Sequence, residues 1–459
     1  MTPTVVLNVV GMTPGLLAHA PHLQALARAG AMRPLSTVLP AVTTSVQSSM
    51  LTGVLPREHG IVANGWYFRD LSEVWLWRQS NRLVQGEKVW QAARKRDAAF
   101  TCAKLFWWYN MYADVDFAVT PRPMYLADGR KLPDIHTHPA ALRDELQTAL
   151  GPFPLFRFWG PGADITSSDW IARSALHVFE AHRPTLTLVY LPHLDYDLQR
   201  LGPNHPNIAA QVAAVDALCG PLIDKARQTG AHVVALSEYG ITEVQHPVHI
   251  NRALRQAGWL KVRLEQGREQ LDAGASDAFA VADHQVAHVY VARPERVPEV
   301  AACLRALPGV ESVLHDAGKH AAGLDHERSG ELVAVARADS WFTYYHFLDD
   351  SRAPDFARTV DIHRKPGYDP AELFFDPSIP SPKLAVALRL ARKALGFRTL
   401  MDVIGLDASI VRGSHGRPTD HSDAGPLFIS SAGALLPDGP VAATSVKQLL
   451  LDHVFGVDA

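Results

Sequence analysis

The sequence predicts an α/β fold: a mostly parallel sheet with helices on both faces and an inserted strand-rich lobe. Three observations predict it. Short unbroken apolar runs recur, VVLNVV at 5–10, LTLVYL at 186–191 and HVVALS at 232–237. Each leads into a helical pattern, as buried parallel strands with crossover helices do. The chain, at 459 residues with 47% hydrophobic and 20% charged content, can bury one large core.

The first run ends at Gly11, and Thr13 with Pro14 reads as the cap and first residue of a helix through 16–30. Further helices are expected at about 206–229 and 249–257. The stretch 66–160 reads as irregular and aromatic, with LFWWYNMY and VTPRPMY, and could floor a substrate pocket or cover a sheet edge. From 278 the pattern turns strand-rich, with AHVYVA, ESVL and ELVAVA between turns. The expected division is a catalytic core of 1–277 and 396–459, with an inserted α+β lobe at 278–395.

A net charge of -3 offers no global attraction to nucleic acid or to an anionic membrane, so neither is an expected partner. The cysteines Cys102, Cys219 and Cys303 form no CxxC pair and no disulfide framework, and buried unpaired thiols are expected. No run is long and apolar enough to span a bilayer, and the N-terminus passes straight into a strand without a leader pattern. A cytoplasmic protein is the expectation.

In open α/β sheets, sites form beyond the carboxyl ends of the strands. The residues there are Asn8 to Met12, Thr43, His193 to Asp197 and Glu238 to Thr242. Thr43 opens the stretch PAVTTSVQSSMLTGVLPREHGIVANG at 40–65, which reads as the start of a helix. Such a terminus has unpaired N–H groups and a partial positive charge that favour a phosphate. A plain helix cap is the alternative role for a threonine there.

The same stretch resembles the nucleophile segment of the type I phosphodiesterase/nucleotide pyrophosphatase group of the alkaline phosphatase superfamily. The resemblance rests on Thr43, Thr52 with Gly53, Pro56, and Glu58-His59-Gly60-Ile61-Val62. It implies an alkaline-phosphatase-like fold, a Thr43 nucleophile and a divalent metal centre, typically of two zinc ions. The substrate class it implies is a small phosphate ester or diester.

Carried over residue by residue, the family's ligands fall on a mixed set. The first-strand Asp becomes Val10, with Asn8 one pleat away on the same face. Asp-x-x-x-His becomes Asp195 to Gln199, and Asp-His-Gly becomes Glu238-Tyr239-Gly240. The late His-Gly is His415-Gly416. Metal ligands implied by the resemblance are therefore Asp195, Glu238 and His415, with Asn8, Asn64, Gln199, Tyr239, His284 and His363 as substrate-binding candidates.

Zinc prefers nitrogen and sulfur donors, so a site short of two imidazoles suits it poorly, and Mg²⁺ or Mn²⁺ is the alternative. Asp283-His284-Gln285, His249 and Asp361-x-His363 offer substitute imidazoles, and Arg364 with Lys365 offers a phosphate clamp. The family's oxyanion amide falls on Val46, leaving Gln47 or Asn64 to replace it. A binding protein that has lost catalysis is the rival expectation.

Overall fold

The computed structural model describes residues 1–457. A nine-stranded sheet runs, edge to edge, through Val441–Ala442, Ala31–Ser36, Leu427–Ser430, His232–Leu236, Thr4–Val9, Leu186–Leu191, Cys102–Leu105, Phe117–Pro121 and Ile135–His138. The five strands from His232–Leu236 to Phe117–Pro121 are parallel, and antiparallel strands flank them on each side. Every residue of Thr4–Val9 and Leu186–Leu191 is buried, which is why these strands read as continuous apolar runs. Helices Pro21–Ala29, Ile165–His182 and Ile208–Gln228 pack together on one face, while Val446–Phe455 packs with Val89–Arg96 and Thr43–Thr52 on the other.

Two expectations need correcting. The first helix does not start at Thr13: a 3₁₀ turn covers Leu17–His19, and the α-helix begins at Pro21. A proline has no N–H to continue an earlier turn but is pre-set for a first position. The stretch 66–160 is not irregular throughout, since it supplies the last three strands on one side of the sheet, Cys102–Leu105, Phe117–Pro121 and Ile135–His138. Strands of four or five residues between aromatic turns are too short to show a period.

A separate four-stranded sheet of Ala278–Asp283, Val286–Val291, Leu332–Ala336 and Val310–Leu314 carries its own apolar cluster. Its first hairpin turns at His284, whose φ of 58° is left-handed, and points that turn at the main sheet's site. Cys102 and Cys219 are buried and Cys303 half-buried, all three as free thiols. No helix among the described residues is long and apolar enough to cross a membrane.

Buried imidazoles set the acid stability. Burial pushes His59 down to about 3, with His326 and Arg328 adding repulsion, and lowers His288 and His346 to about 4. His249, His284 and His415 shift the same way. An unfolded chain takes up these protons near 6.5, so stability falls as pH drops from 6.5 towards 4, by about 1.4 kcal/mol per pH unit for each fully buried ring.

The buried carboxyls Asp195, Glu238, Asp283 and Glu372 are shifted up, also by burial, and oppose this trend. The imidazoles shifted down by burial outnumber the carboxyls shifted up, so the net expectation is a loss of stability as the pH falls. Thermal melts between pH 6.5 and 4.5 should show a falling midpoint. A flat or rising midpoint would mean that these rings keep their protons in the folded state.

Candidate active site

Thr43 follows the extended Val42 and is the first residue of the helix Thr43–Thr52, all ten residues of which are buried. Gly53, at φ 78°, closes that helix. The segment is tied to the late His-Gly: Ala41 N–H donates to Gly416 O at 2.8 Å, and His415 Nδ1–H donates to Ala41 O at 2.8 Å. Asp195 stands in the first turn of His193–Leu201, directly after the strand Leu186–Leu191. Glu238 and Tyr239 follow the strand His232–Leu236, and a Cβ at Gly240 would lie 1.7 Å from Ala424 O, so only glycine fits there.

These elements bring Thr43, Asp195, Glu238, Tyr239 and His415 into one buried cluster. The Tyr239 hydroxyl lies 2.9 Å from Thr43 Oγ1 and donates to Asp195 Oδ1 at 3.3 Å. Gln199 Nε2 donates to the other Asp195 oxygen at 2.9 Å, and His415 Nε2 lies 3.6 Å from Asp195 Oδ1. Asn8 Nδ2 and Gln47 Nε2 both donate to Glu238 Oε1, each at 2.6 Å. Glu238 Oε2 is buried without a hydrogen bond, and the Thr43 hydroxyl lies beside the same carboxyl.

His284 joins from the second sheet. Its Nδ1–H donates to Asp283 Oδ1 at 2.7 Å, while Asp283 also accepts from the Asn64 backbone and side chain at 2.7 and 3.1 Å. The rings of Tyr239, His415, His284 and Tyr368 form a continuous stack with successive centroids 3.6, 3.7 and 3.6 Å apart. Because Ala41 O and Asp283 hold the Nδ1 protons, both Nε2 atoms are bare acceptors, buried and unpaired. Burial keeps both rings neutral, well below the ordinary imidazole value.

Burial also raises the carboxyls, Asp195 to about 7 and Glu238 to about 8, despite hydrogen bonds from Tyr239 and Gln199 to the first and from Gln47 and Asn8 to the second.

Other candidates lie elsewhere or are already engaged. The exposed His363 sits 3.4 Å from Leu76 O, outside the stack. His249 pairs with Thr343 Oγ1 at 2.8 Å. The phosphate clamp is a correction: Lys365 is buried between Asp369 and Glu372, at 2.7 and 2.8 Å, and Arg364 pairs with Asp355. Neither cation is free for an anion, because each is neutralised on its own segment. Asn64 Oδ1 accepts from Thr44 N–H, so its amide braces the helix end.

Tyr368 is the residue that sequence reasoning missed. Its hydroxyl donates to Gln199 Oε1 at 3.0 Å, and nothing in the string KPGYDP signals that contact. Around it, half-buried Trp77, Trp108 and Trp159 form an aromatic wall: Trp77 lies 4.8 Å from Trp108, and Trp159 lies 5.8 Å from Tyr368.

The donors do not fit a two-zinc centre. Val10 brings no carboxylate, and the Tyr239 hydroxyl fills the interval between Thr43 and Asp195. Glu238 Oε1 is occupied by two amides, and Gln199 turns its donor nitrogen to Asp195. Among the described residues no group of three or more His, Cys, Asp or Glu side chains is placed to hold a metal ion.

The family comparison places this chain with hydrolases of the phosphodiesterase class. Within them it belongs to the type I phosphodiesterase/nucleotide pyrophosphatase family, whose model matches residues 4–369. Comparison with curated protein sequences returns no match. Among solved structures, phosphonoacetate hydrolase from Sinorhizobium meliloti 1021 in complex with phosphonoformate is similar at a TM-score of 0.62 and 15% identity, covering 99% of this chain and 96% of that one. An inactive variant of murine ectonucleotide pyrophosphatase/phosphodiesterase 5 in complex with AMP is similar at 0.60 and 15% identity, covering 99% and 95%. The human form of the latter gives 0.57 at 13% identity, covering 99% and 95%. At these identities the likeness is one of fold.

Proposed function

We propose that the chain hydrolyses a small phosphodiester with Thr43 as nucleophile and with buried carboxyls, rather than a pair of zinc ions, handling the protons. The observation that carries this reading is the Thr43 hydroxyl set between the Tyr239 hydroxyl and the open side of the Glu238 carboxyl.

In the first step Thr43 Oγ attacks phosphorus, its proton passes to Glu238 Oε2, and the bond to the leaving oxygen breaks. A carboxyl shifted towards neutral pH suits that exchange. The Tyr239 hydroxyl donates to a phosphoryl oxygen, and the end of the Thr43–Thr52 helix adds its partial positive charge. Asp195, on the far side of Tyr239, returns a proton to the leaving oxygen. Water then attacks phosphorus and releases Thr43, with the proton transfers reversed.

The charge of the site bears on the substrate. Among the described residues, no arginine or lysine forms a hydrogen bond or ion pair with the side chains of Thr43, Asp195, Glu238, Tyr239 and His415. A diester with one negative charge is cheaper to bury there than a doubly charged monoester. The tryptophans beside Tyr368 suit a planar group on that diester. The murine relative's complex holds AMP, which carries such a planar base, although AMP itself is a monoester.

Glu238→Gln tests the reading. The amide oxygen keeps both bonds from Asn8 and Gln47, so the fold should hold, but the group beside Thr43 can no longer take a proton. The expected result is a kcat lowered by about 10²-fold or more at unchanged KM. An unchanged kcat would remove Glu238 from the mechanism.

A second reading is a non-hydrolytic binder, favoured by one observation: the Gln47 and Asn64 amides are both engaged within the protein, leaving neither for the phosphoryl group. Calorimetric binding of AMP, with no turnover of any activated diester at any divalent ion, would select it.

A further inference from the structure

Residues 377–401 contain Lys383, Arg389, Arg392, Lys393 and Arg398 and no aspartate or glutamate. They form the helix Pro382–Ala394 and the turn after it. An amphipathic helix on a globular body ordinarily turns its apolar stripe inward. Here the inward side carries Val386, which packs by Val403 and Ile404, and Arg389, which pairs with Asp402 at 2.7 Å.

The outward side carries Leu384, Leu388 and Leu395, at i, i+4 and i+11, which are 59%, 58% and 76% exposed, with Phe397 at 60%. Lys383, Arg392, Lys393 and Arg398 make no ion pair among the described residues. Each large outward side chain would gain by leaving water. These cations, of which Lys393 also has Asp128 within electrostatic reach, call for a partner that is apolar and negatively charged at once.

We propose that this helix docks the protein on an anionic lipid surface, with the leucines and Phe397 entering the acyl boundary and the lysines and arginines facing the headgroups. The overall charge of -3 hides this local excess of cations. A second copy of the chain is the poorer occupant, because two-fold pairing would set the same cations against each other. The inference does not depend on the hydrolytic reading, since none of these residues touches the Thr43 cluster.

The test is co-sedimentation of the full chain with vesicles of phosphatidylcholine, with and without phosphatidylserine, at low and high salt. The expected result is binding to the phosphatidylserine vesicles that high salt abolishes, weakened about tenfold or more in Leu384→Glu/Leu388→Glu. Both side chains are exposed, so the melting midpoint of that variant should match wild type. Vesicle binding unchanged in the double variant would overturn the proposal. So would a wild type that ignores both vesicles: if it is then a dimer that the variant dissolves, a second copy covers the helix, and if it is a monomer, an acidic protein is the better occupant.

Discussion

Thr43→Ala is expected to lower turnover of bis(p-nitrophenyl) phosphate by about 10⁴-fold or more, because it deletes the atom that bonds to phosphorus. Little of that loss should come from the fold. The Thr43 hydroxyl bonds the Tyr239 hydroxyl, which keeps Asp195 as a partner, and Glu238 keeps its bonds from Asn8 and Gln47. The helix Thr43–Thr52 stays anchored by Thr44 N–H to Asn64 and by the exchange between Ala41, Gly416 and His415. A steady-state assay beside a thermal melt checks both halves. A variant with wild-type rate would leave Thr43 as a helix cap only.

Lys365→Met should produce the largest loss of stability, about 3–5 kcal/mol, because it strands two carboxylates in the interior. Burial works against the charge on Lys365, but Asp369 and Glu372 overcome it and hold the ammonium above its ordinary value. Lys365, Asp369 and Glu372 are all almost fully buried. The carboxylates keep secondary donors, Ala371 N–H on Asp369, and Trp159 Nε1–H and Asp361 N–H on Glu372, but no other ion pair among the described residues. Denaturant unfolding should therefore show a much lower midpoint. Adding Asp369→Asn and Glu372→Gln to Lys365→Met should recover most of it by removing the orphaned charges; failure to recover would mean that the lysine chain's packing, not its charge, is what matters.

The central sheet was legible because buried parallel strands cannot alternate: VVLNVV, LTLVYL and HVVALS are apolar at nearly every position and fully or almost fully buried. The edge at 102–138 was not, since its strands are four or five residues long and stand between aromatic turns. Thr43, Asp195 and Glu238 could be singled out because each lies just beyond a run that ends in the sheet or at a helix start. His284 stood out as a histidine beside a carboxylate in a tight turn. Its stacking on His415, and Tyr368 on its other side, follow only from how the second sheet docks on the first.

The exchange of a family histidine for Tyr239 was visible in the chain. That its hydroxyl would bridge Thr43 and Asp195 was not, because the bridge depends on three elements meeting at one point, with Tyr239 lying 196 residues from Thr43 and 44 from Asp195. Lys365 shows the opposite error: two adjacent cations looked like a clamp, yet the carboxylates of Lys365 lie four and seven residues further on and that of Arg364 nine residues back.

The central claim, hydrolysis through a covalent bond to Thr43, is tested most directly by rapid acid quench during turnover of bis(p-nitrophenyl) phosphate followed by peptide mass spectrometry. The account predicts a p-nitrophenyl phosphate adduct on Thr43, absent from Thr43→Ala. Sustained turnover with no adduct on Thr43, or an adduct on another residue that persists in Thr43→Ala, would contradict it.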